Sequence, residues 1–561
     1  MTTQHIRNNL REELRLSDEH MDVDISIALI ALITSAVRDS ESTCTLEQIV
    51  RAVENADAAT YLEPLTLLPL LIPCPRLGSE EIISLMNRAC SAKEVIMAAM
   101  EVLENINRVL DIDDDADADA EGGTLSFPQQ ICRLIQIFNQ SIPRLPKRKK
   151  SPSEVVRPLF SELQSIMSRA PTGNAVENRA ILTAASALVT SAYGWAKSDP
   201  AFDGDEKSTI TIILTTFLGA ALEACAIHIE ANLAQAAFKE NFSRLVISSP
   251  GQDHSSRNED VVHDVWKAGH LLDLTIDTCE RNPSLGSFIL LAHAPSYKFS
   301  VPILTVFFPI IIMCIRSNKI LDEVISVLIR TIVPLKSHSP RSELSLDLLV
   351  PLAHLLPLVA GVHPDPSTRH QLYRLLSSVL TLAPSMFRLQ LLQELLTDAD
   401  SSPQMRIALV GLLREAVLEA LAAPPDSAQS KQNVFASPIF LHTFAQIILR
   451  PDPPDLFTKA ISADDFLDSP EPLRLVECLA LYYVLLMKDV RNRTGIRDQD
   501  NLRNVRVSLL DPLRSRITIW SNDMSKEANS AHGDESATQF GILDMWLDRI
   551  FDVVDDLAHA Q

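Results

Sequence analysis

The chain has 561 residues, 46% hydrophobic, 22% charged and 5% aromatic, a globular composition in a length greater than one core usually serves. Its 15 glycines are too few for the Gly-rich turns of an all-β or Rossmann-type chain. With 50 Lys and Arg against 72 Asp and Glu, the net charge is −22, which argues against direct nucleic-acid binding and favours a basic partner surface.

The N-terminal sequence MTTQHIRNNLREELRLSDEH is polar and lacks the apolar centre of a signal peptide, so a reducing, cytoplasmic setting is expected. Residues 1–110 then read as N-terminal helical repeats, with capping boxes at Thr45…Gln48 and Ser91…Glu94 ahead of apolar-periodic runs. Pro73 and Pro75 end the Leu-rich helix before Ser91. Residues 111–150 read as an acidic then basic linker with one short helix. Its acidic part, Asp111 to Gly123, begins like a calcium loop with Asp111, Asp113 and Asp115. Ala116 and Gly122 stand where such a loop needs Gly and Glu, so a solvated spacer is expected. Its basic part, Lys147, Arg148, Lys149 and Lys150, is a candidate nuclear-import signal, which would add the nucleus to a cytoplasmic location.

Residues 151–422 read as central helical repeats. Several helices open on Ser or Asp followed by Pro, at Ser151, Ser339, Asp365, Ser402, Ser437 and Ser469. The side chain there can accept from a free first-turn N–H, and the proline loses no helical bond. Ser126…Gln129 and Ser151…Glu154 add capping boxes. Phe299 to Ile315 is short for a membrane span and holds Pro302 and Pro309, and Ile210 to Ala226 contains Glu223. Both are expected as buried helices, without a membrane. Over 403–421, Met405, Leu409, Leu412, Leu413, Ala416, Val417 and Ala420 form one apolar stripe. Residues 423–561 read as a C-terminal helical region with a polar loop near 522–538, then a helix carrying Leu543, Trp546 and Ile550. Ser248 to Asp260 and Ala423 to Asn433 are further loops. With no strand alternation and no tetratricopeptide or ankyrin consensus, the expected fold is all-α, an irregular HEAT/armadillo-like helical-repeat solenoid.

Chemical signatures are missing. Eight cysteines, Cys44, Cys74, Cys90, Cys132, Cys225, Cys279, Cys314 and Cys478, include no C-x-x-C and mostly sit in apolar stretches as small core residues. His263 and His270 are two helical turns apart, ~10.5 Å along the axis, too far to share a metal. His228 stands in HIEAN, which is not a zinc-protease motif. The chain has no nucleophile elbow, no phosphate loop and no dinucleotide fingerprint. The expectation is no catalytic residues, no cofactor, no metal and no enzymatic activity.

Two segments carry a family resemblance. Leu65 to Ile106 places a Leu/Pro-rich helix before Ser91-Ala92-Lys93-Glu94-Val95 and a long helix. Phe387 to Leu421 places an Arg388-led helix, an acidic turn and an apolar helix with Arg406 and, within GLLREAV, Arg414. Both resemble the family of fungal YAP-binding proteins, plant aberrant-lateral-root-formation proteins and animal glomulin, the fungal branch most. Arg388 and Arg406 are candidates for bonds to neighbouring helix C-termini. The resemblance implies a HEAT-like scaffold that binds a Yap-type bZIP factor in the oxidative-stress response. The alternative it implies is an inhibitor that binds the RING subunit of a cullin–RING ubiquitin ligase. A generic HEAT-type assembly or transport scaffold is the reading outside the family. The resemblance assigns no partner-contact residue.

Overall fold

The computed structural model describes residues 3–14, 24–39, 42–112, 123–147, 150–169, 173–226, 229, 231–245, 259–294, 297–336, 344–398, 400–423, 433–459, 461–526 and 533–559. Among these residues the secondary structure is helical, without strands, so the fold is all-α. The chain divides into two compact units, Met1–Leu233 with Ile247–Tyr297, and Ala234–Val246 with Lys298–Gln561.

The first unit opens with α1 (Thr3–Leu14), α2 (Ile25–Arg38), α3 (Leu46–Asn55), α4 (Pro64–Leu71), α5 (Ser79–Ala89) and α6 (Ala92–Ile112). It continues with α7 (Phe127–Ser141), α8 (Pro152–Arg169), α9 (Ala175–Lys197) and α10 (Gly204–Cys225). Each of the first eight helices packs on the helix two places later, giving an odd-numbered and an even-numbered layer. That order is the signature of a helical repeat, in which each pair buries its apolar faces against the next. α7 packs on α5, α6 and α9, so the expected linker over 111–150 contains a full member of the odd layer. The acidic part of that linker, residues 113–122, lies outside the described residues.

Several helix starts follow the expected capping chemistry, whereas Ser437 and the expected Ser91…Glu94 box make no side-chain cap bond among the described residues. Thr45–Gln48 and Ser126–Gln129 form reciprocal boxes. Ser151 and Glu154 exchange bonds of 3.2 and 3.4 Å. At Ser91 the backbone carbonyl accepts from Val95 N–H, and α6 starts one residue later, with Lys93 and Glu94 exposed in its first turn. Gly78 precedes α5 at φ 93°, where a Cβ would stand 2.7 Å from the backbone of Leu46 and Glu47, so only glycine fits this turn. α10 is long and apolar enough to cross a membrane by length and composition. It packs on α8 and α9 and buries Leu214, Phe217, Leu218 and Leu222.

Between the two units' main runs, α11 (Leu233–Asn241) belongs almost wholly to the second unit, whereas α12 (Glu259–Leu271), α13 (Ile276–Arg281) and α14 (Leu285–His293) complete the first. The second unit then runs α15 (Val301–Ser317), α16 (Leu321–Leu335), α17 (Leu346–Val362), α18 (Pro366–Thr381), α19 (Ser385–Thr397) and α20 (Pro403–Ala422). It ends with α21 (Pro438–Ile448), α22 (Ala463–Asp468), α23 (Glu471–Lys488), α24 (Gln499–Val505), α25 (Asp511–Lys526) and α26 (Gly533–His559). One layer is the succession α15, α17, α20, α23, α26, each packed on the next. The apolar stripe expected on α20 is the face it buries.

Three expectations change. α15, expected as a buried helix, buries only Leu304, Phe307, Ile311, Cys314 and Ile315, and leaves Val306 and Met313 about half exposed. α25 and α26 cover residues 522–526 and 533–538 of the stretch read as a polar loop; two amphipathic helices extend into it, because their polar faces resemble loop composition. α23 starts at Glu471, one residue past Pro470. Ser339, His228 and most of the loops at 248–260 and 423–433 lie outside the described residues.

Candidate docking cleft in the second unit

A cleft of about 670 Å³ opens between α21 and the segment that runs from residue 494 into α24. α21 begins at the Ser437-Pro438 step and buries Phe440, Leu441, Phe444 and Ile448. Its other face presents Pro438, His442 and Gln446 at four-residue spacing, and Arg450 follows two residues past its end. The C-terminal end of α21 is held by Arg474, whose Nη1 donates to the Ile447 carbonyl at 2.8 Å and Nη2 to the Arg450 carbonyl at 2.7 Å. Arg474 is in turn gripped by Glu471 at 2.6 and 2.7 Å. Burial pushes the Glu471 carboxyl up, and the Arg474 pairing opposes that shift.

The facing wall is a loop with a dense internal network. Asp489, 1% exposed, accepts from the Arg493 and Thr494 N–H groups and from Thr494 Oγ1, at 2.7–2.8 Å. Arg497 Nε donates to the Leu486 carbonyl at 3.0 Å, closing the end of α23. Asn492 and Gly495 take left-handed conformations, φ 51° and 81°. Asn492 Nδ2 donates to Asp498 at 2.7 Å, and Asn501 Nδ2 to the Gly495 carbonyl at 2.9 Å. After α24 the chain widens into a π-turn over Arg506–Leu510, a geometry frequent at functional positions. It leaves Val507 66% exposed on the rim beside Ser508. The floor is aliphatic: Leu441, Ala445, Leu449, Ile496 and Val505. The size and the mixture of apolar floor with a few polar groups fit a recognition site.

None of the residues singled out from the sequence lines this cleft. Arg388, 7% exposed, pairs with Glu419 at 3.0 Å, in the last turn of α20, and stacks its guanidinium 5.6 Å from the Phe435 ring. Arg406 reaches Asp452 at 4.0 Å and Arg414 pairs with Glu477 at 2.9 Å. These contacts tie α20 to its neighbours through carboxylates. Bonds from an arginine to a helix C-terminus are made by Arg133, Arg474 and Arg497. Arg133 of α7 donates to the Leu71, Ile72 and Cys74 carbonyls at and just past the end of α4 at 2.8–3.2 Å, and Arg474 and Arg497 close helix ends in the same way in the second unit. In the basic run, Lys147 Nζ donates to the Ser198 carbonyl and hydroxyl at the end of α9, and Arg148 and Lys149 lie outside the described residues. His263 and His270 are both exposed on α12, and His270 stacks on Trp266. Among the described residues no group of three His, Cys, Asp or Glu is placed to hold a metal ion.

The cleft and the α20 contacts fall within residues 286–545, which match the family model described as "Uncharacterised protein family, YAP/Alf4/glomulin". The likeness to the YAP/Alf4/glomulin family is thus confined to this region. The Phe387–Leu421 segment lies inside the matched region and the Leu65–Ile106 segment precedes it. No curated protein matches the chain.

Proposed function

We propose that this chain is a non-enzymatic adaptor that binds another protein through its second unit, and that its partner is a Yap-type bZIP factor of the oxidative-stress response. The observation that carries the reading is the coincidence of the family region with a cleft whose lining is aliphatic and amide-rich. Such a lining favours recognition of a polypeptide, since it supplies apolar contact and hydrogen bonds. The site of action is the cytoplasm, with access to the nucleus if the basic run at Lys147–Lys150 directs import. Loss of the gene should lower peroxide tolerance and nuclear accumulation of the bZIP factor; unchanged tolerance and accumulation would sink the proposal.

A second reading, inhibition of a cullin–RING ligase by binding its RING subunit, draws on the glomulin members of the family and on the net charge of −22, which suits a basic partner. In a reconstituted ubiquitination assay, excess purified chain should then slow ubiquitin-chain growth. Unaltered growth would remove this reading.

A further inference from the structure

We infer that the α21–α24 cleft takes an extended peptide segment of the partner, with alternate aliphatic side chains on the floor and an Asp or Glu side chain meeting Arg450. The inference rests on reading this cleft as the docking site, and it adds the conformation and chemistry of what docks.

The rim distinguishes an extended ligand from a helical one. Three carboxamides, Gln446, Asn501 and Asn504, stand along it. Asn501 spends one donor on the Gly495 carbonyl; Gln446 and Asn504 bond no group among the described residues. Each carboxamide carries both donors and an acceptor. A docked helix pairs its own N–H and C=O groups and leaves such amides unmatched. An extended segment presents unpaired N–H and C=O groups at its sides, while every second side chain points down. Amides on the rim over an aliphatic floor match the extended form. Leu441 to Leu449 covers ~12 Å of helix, room for about four extended residues.

The charge follows from what is already engaged. The Asp498 carboxylate accepts from Asn492. The exposed Arg450 guanidinium bonds no group among the described residues, while its carbonyl is fixed by Arg474. A guanidinium on an anchored backbone is locally complementary to a carboxylate on the ligand. The walls are held in place by the Arg474 and Asp489 networks, so docking requires little ordering.

The test uses the full chain against an immobilised library of N-acetylated, C-amidated octapeptides, with bound peptides sequenced. The expected enrichment is for aliphatic residues at alternate positions with one Asp or Glu. Arg450→Glu should replace the acidic preference by a basic one and keep the aliphatic pattern. Ala445→Arg, which fills the floor, should cut enrichment about tenfold or more at an unchanged thermal midpoint. Absence of enrichment, enrichment of helix-periodic sequences, or indifference to both substitutions would overturn the inference. If Ala445→Arg leaves capture of the cellular partner intact, the peptide mode fails and the adaptor reading stands. If peptides bind as expected but no bZIP factor is captured, the adaptor reading fails and the peptide mode stands.

Discussion

At the residue scale, the thiols bear most directly on an oxidative-stress role. All eight cysteines are free, and seven are buried. Burial pushes Cys90, Cys132, Cys279 and Cys314 up to about 11, and Cys225 and Cys478 up to about 12. For Cys132 the rise from 9.0 to about 11 lowers the thiolate fraction at pH 8 about 100-fold, and the thiolate is the reacting form. Iodoacetamide should therefore label the thiols raised to about 11 about 100-fold more slowly in the folded chain than in urea, and Cys225 and Cys478 more slowly still; equal rates would refute their assignment as core residues. The same shifts fix a pH dependence. Above pH 9 the unfolded thiols lose protons that the folded ones keep, so their contribution to stability is full below 9 and declines as pH rises through about 11. A urea midpoint that rises over that interval would contradict this. Tyr482 gives a second residue-scale test. Its hydroxyl is buried with no hydrogen-bond partner among the described residues, and burial pushes its pKa up, which keeps it protonated. Tyr482→Phe removes an unmatched polar group and should stabilise the chain by about 1 kcal/mol in urea titration; a loss of stability would show that the hydroxyl has a partner in solution.

At the element scale, arginines that close helix C-termini recur through both units. Arg133 joins α7 to the end of α4 and to Glu80 in the first turn of α5. Arg133→Ala should cost about 3 kcal/mol, because it strips three carbonyls of their donor at an 11% exposed side chain. Arg133→Lys should recover only part of that, since a single ammonium cannot serve both the carbonyls that Nη1 reaches and the Glu80 and Ser79 side chains that Nε and Nη2 reach. Full recovery by lysine in denaturant unfolding would reduce the role to charge alone. Helix starts and apolar stripes were legible in the sequence because they are local: Thr45, Ser126 and the α20 stripe are written within a few residues. Arginine partners were not. Arg133 and its carbonyls lie about 60 residues apart, and only packing decides that Arg388 meets Glu419. The cleft was missed for a similar reason: its walls come from 438–450 and 494–508, and the polar stretch near Asn501 reads as an ordinary turn.

At the scale of the whole molecule, each unit buries its helices by packing each on a near successor, an arrangement in which a partner is met by an exposed face or cleft and a deep catalytic pocket is not required. The family region coincides with most of the second unit, and the cleft lies inside it. Partner capture is the most direct test of the adaptor proposal. The full chain and its Ala445→Arg variant would be used as bait in cells before and after peroxide, with recovered proteins quantified by mass spectrometry. The account predicts recovery of a bZIP factor with the native chain and about tenfold less with the variant at an equal thermal midpoint. Recovery of neither a bZIP factor nor a RING subunit with the native chain would contradict it.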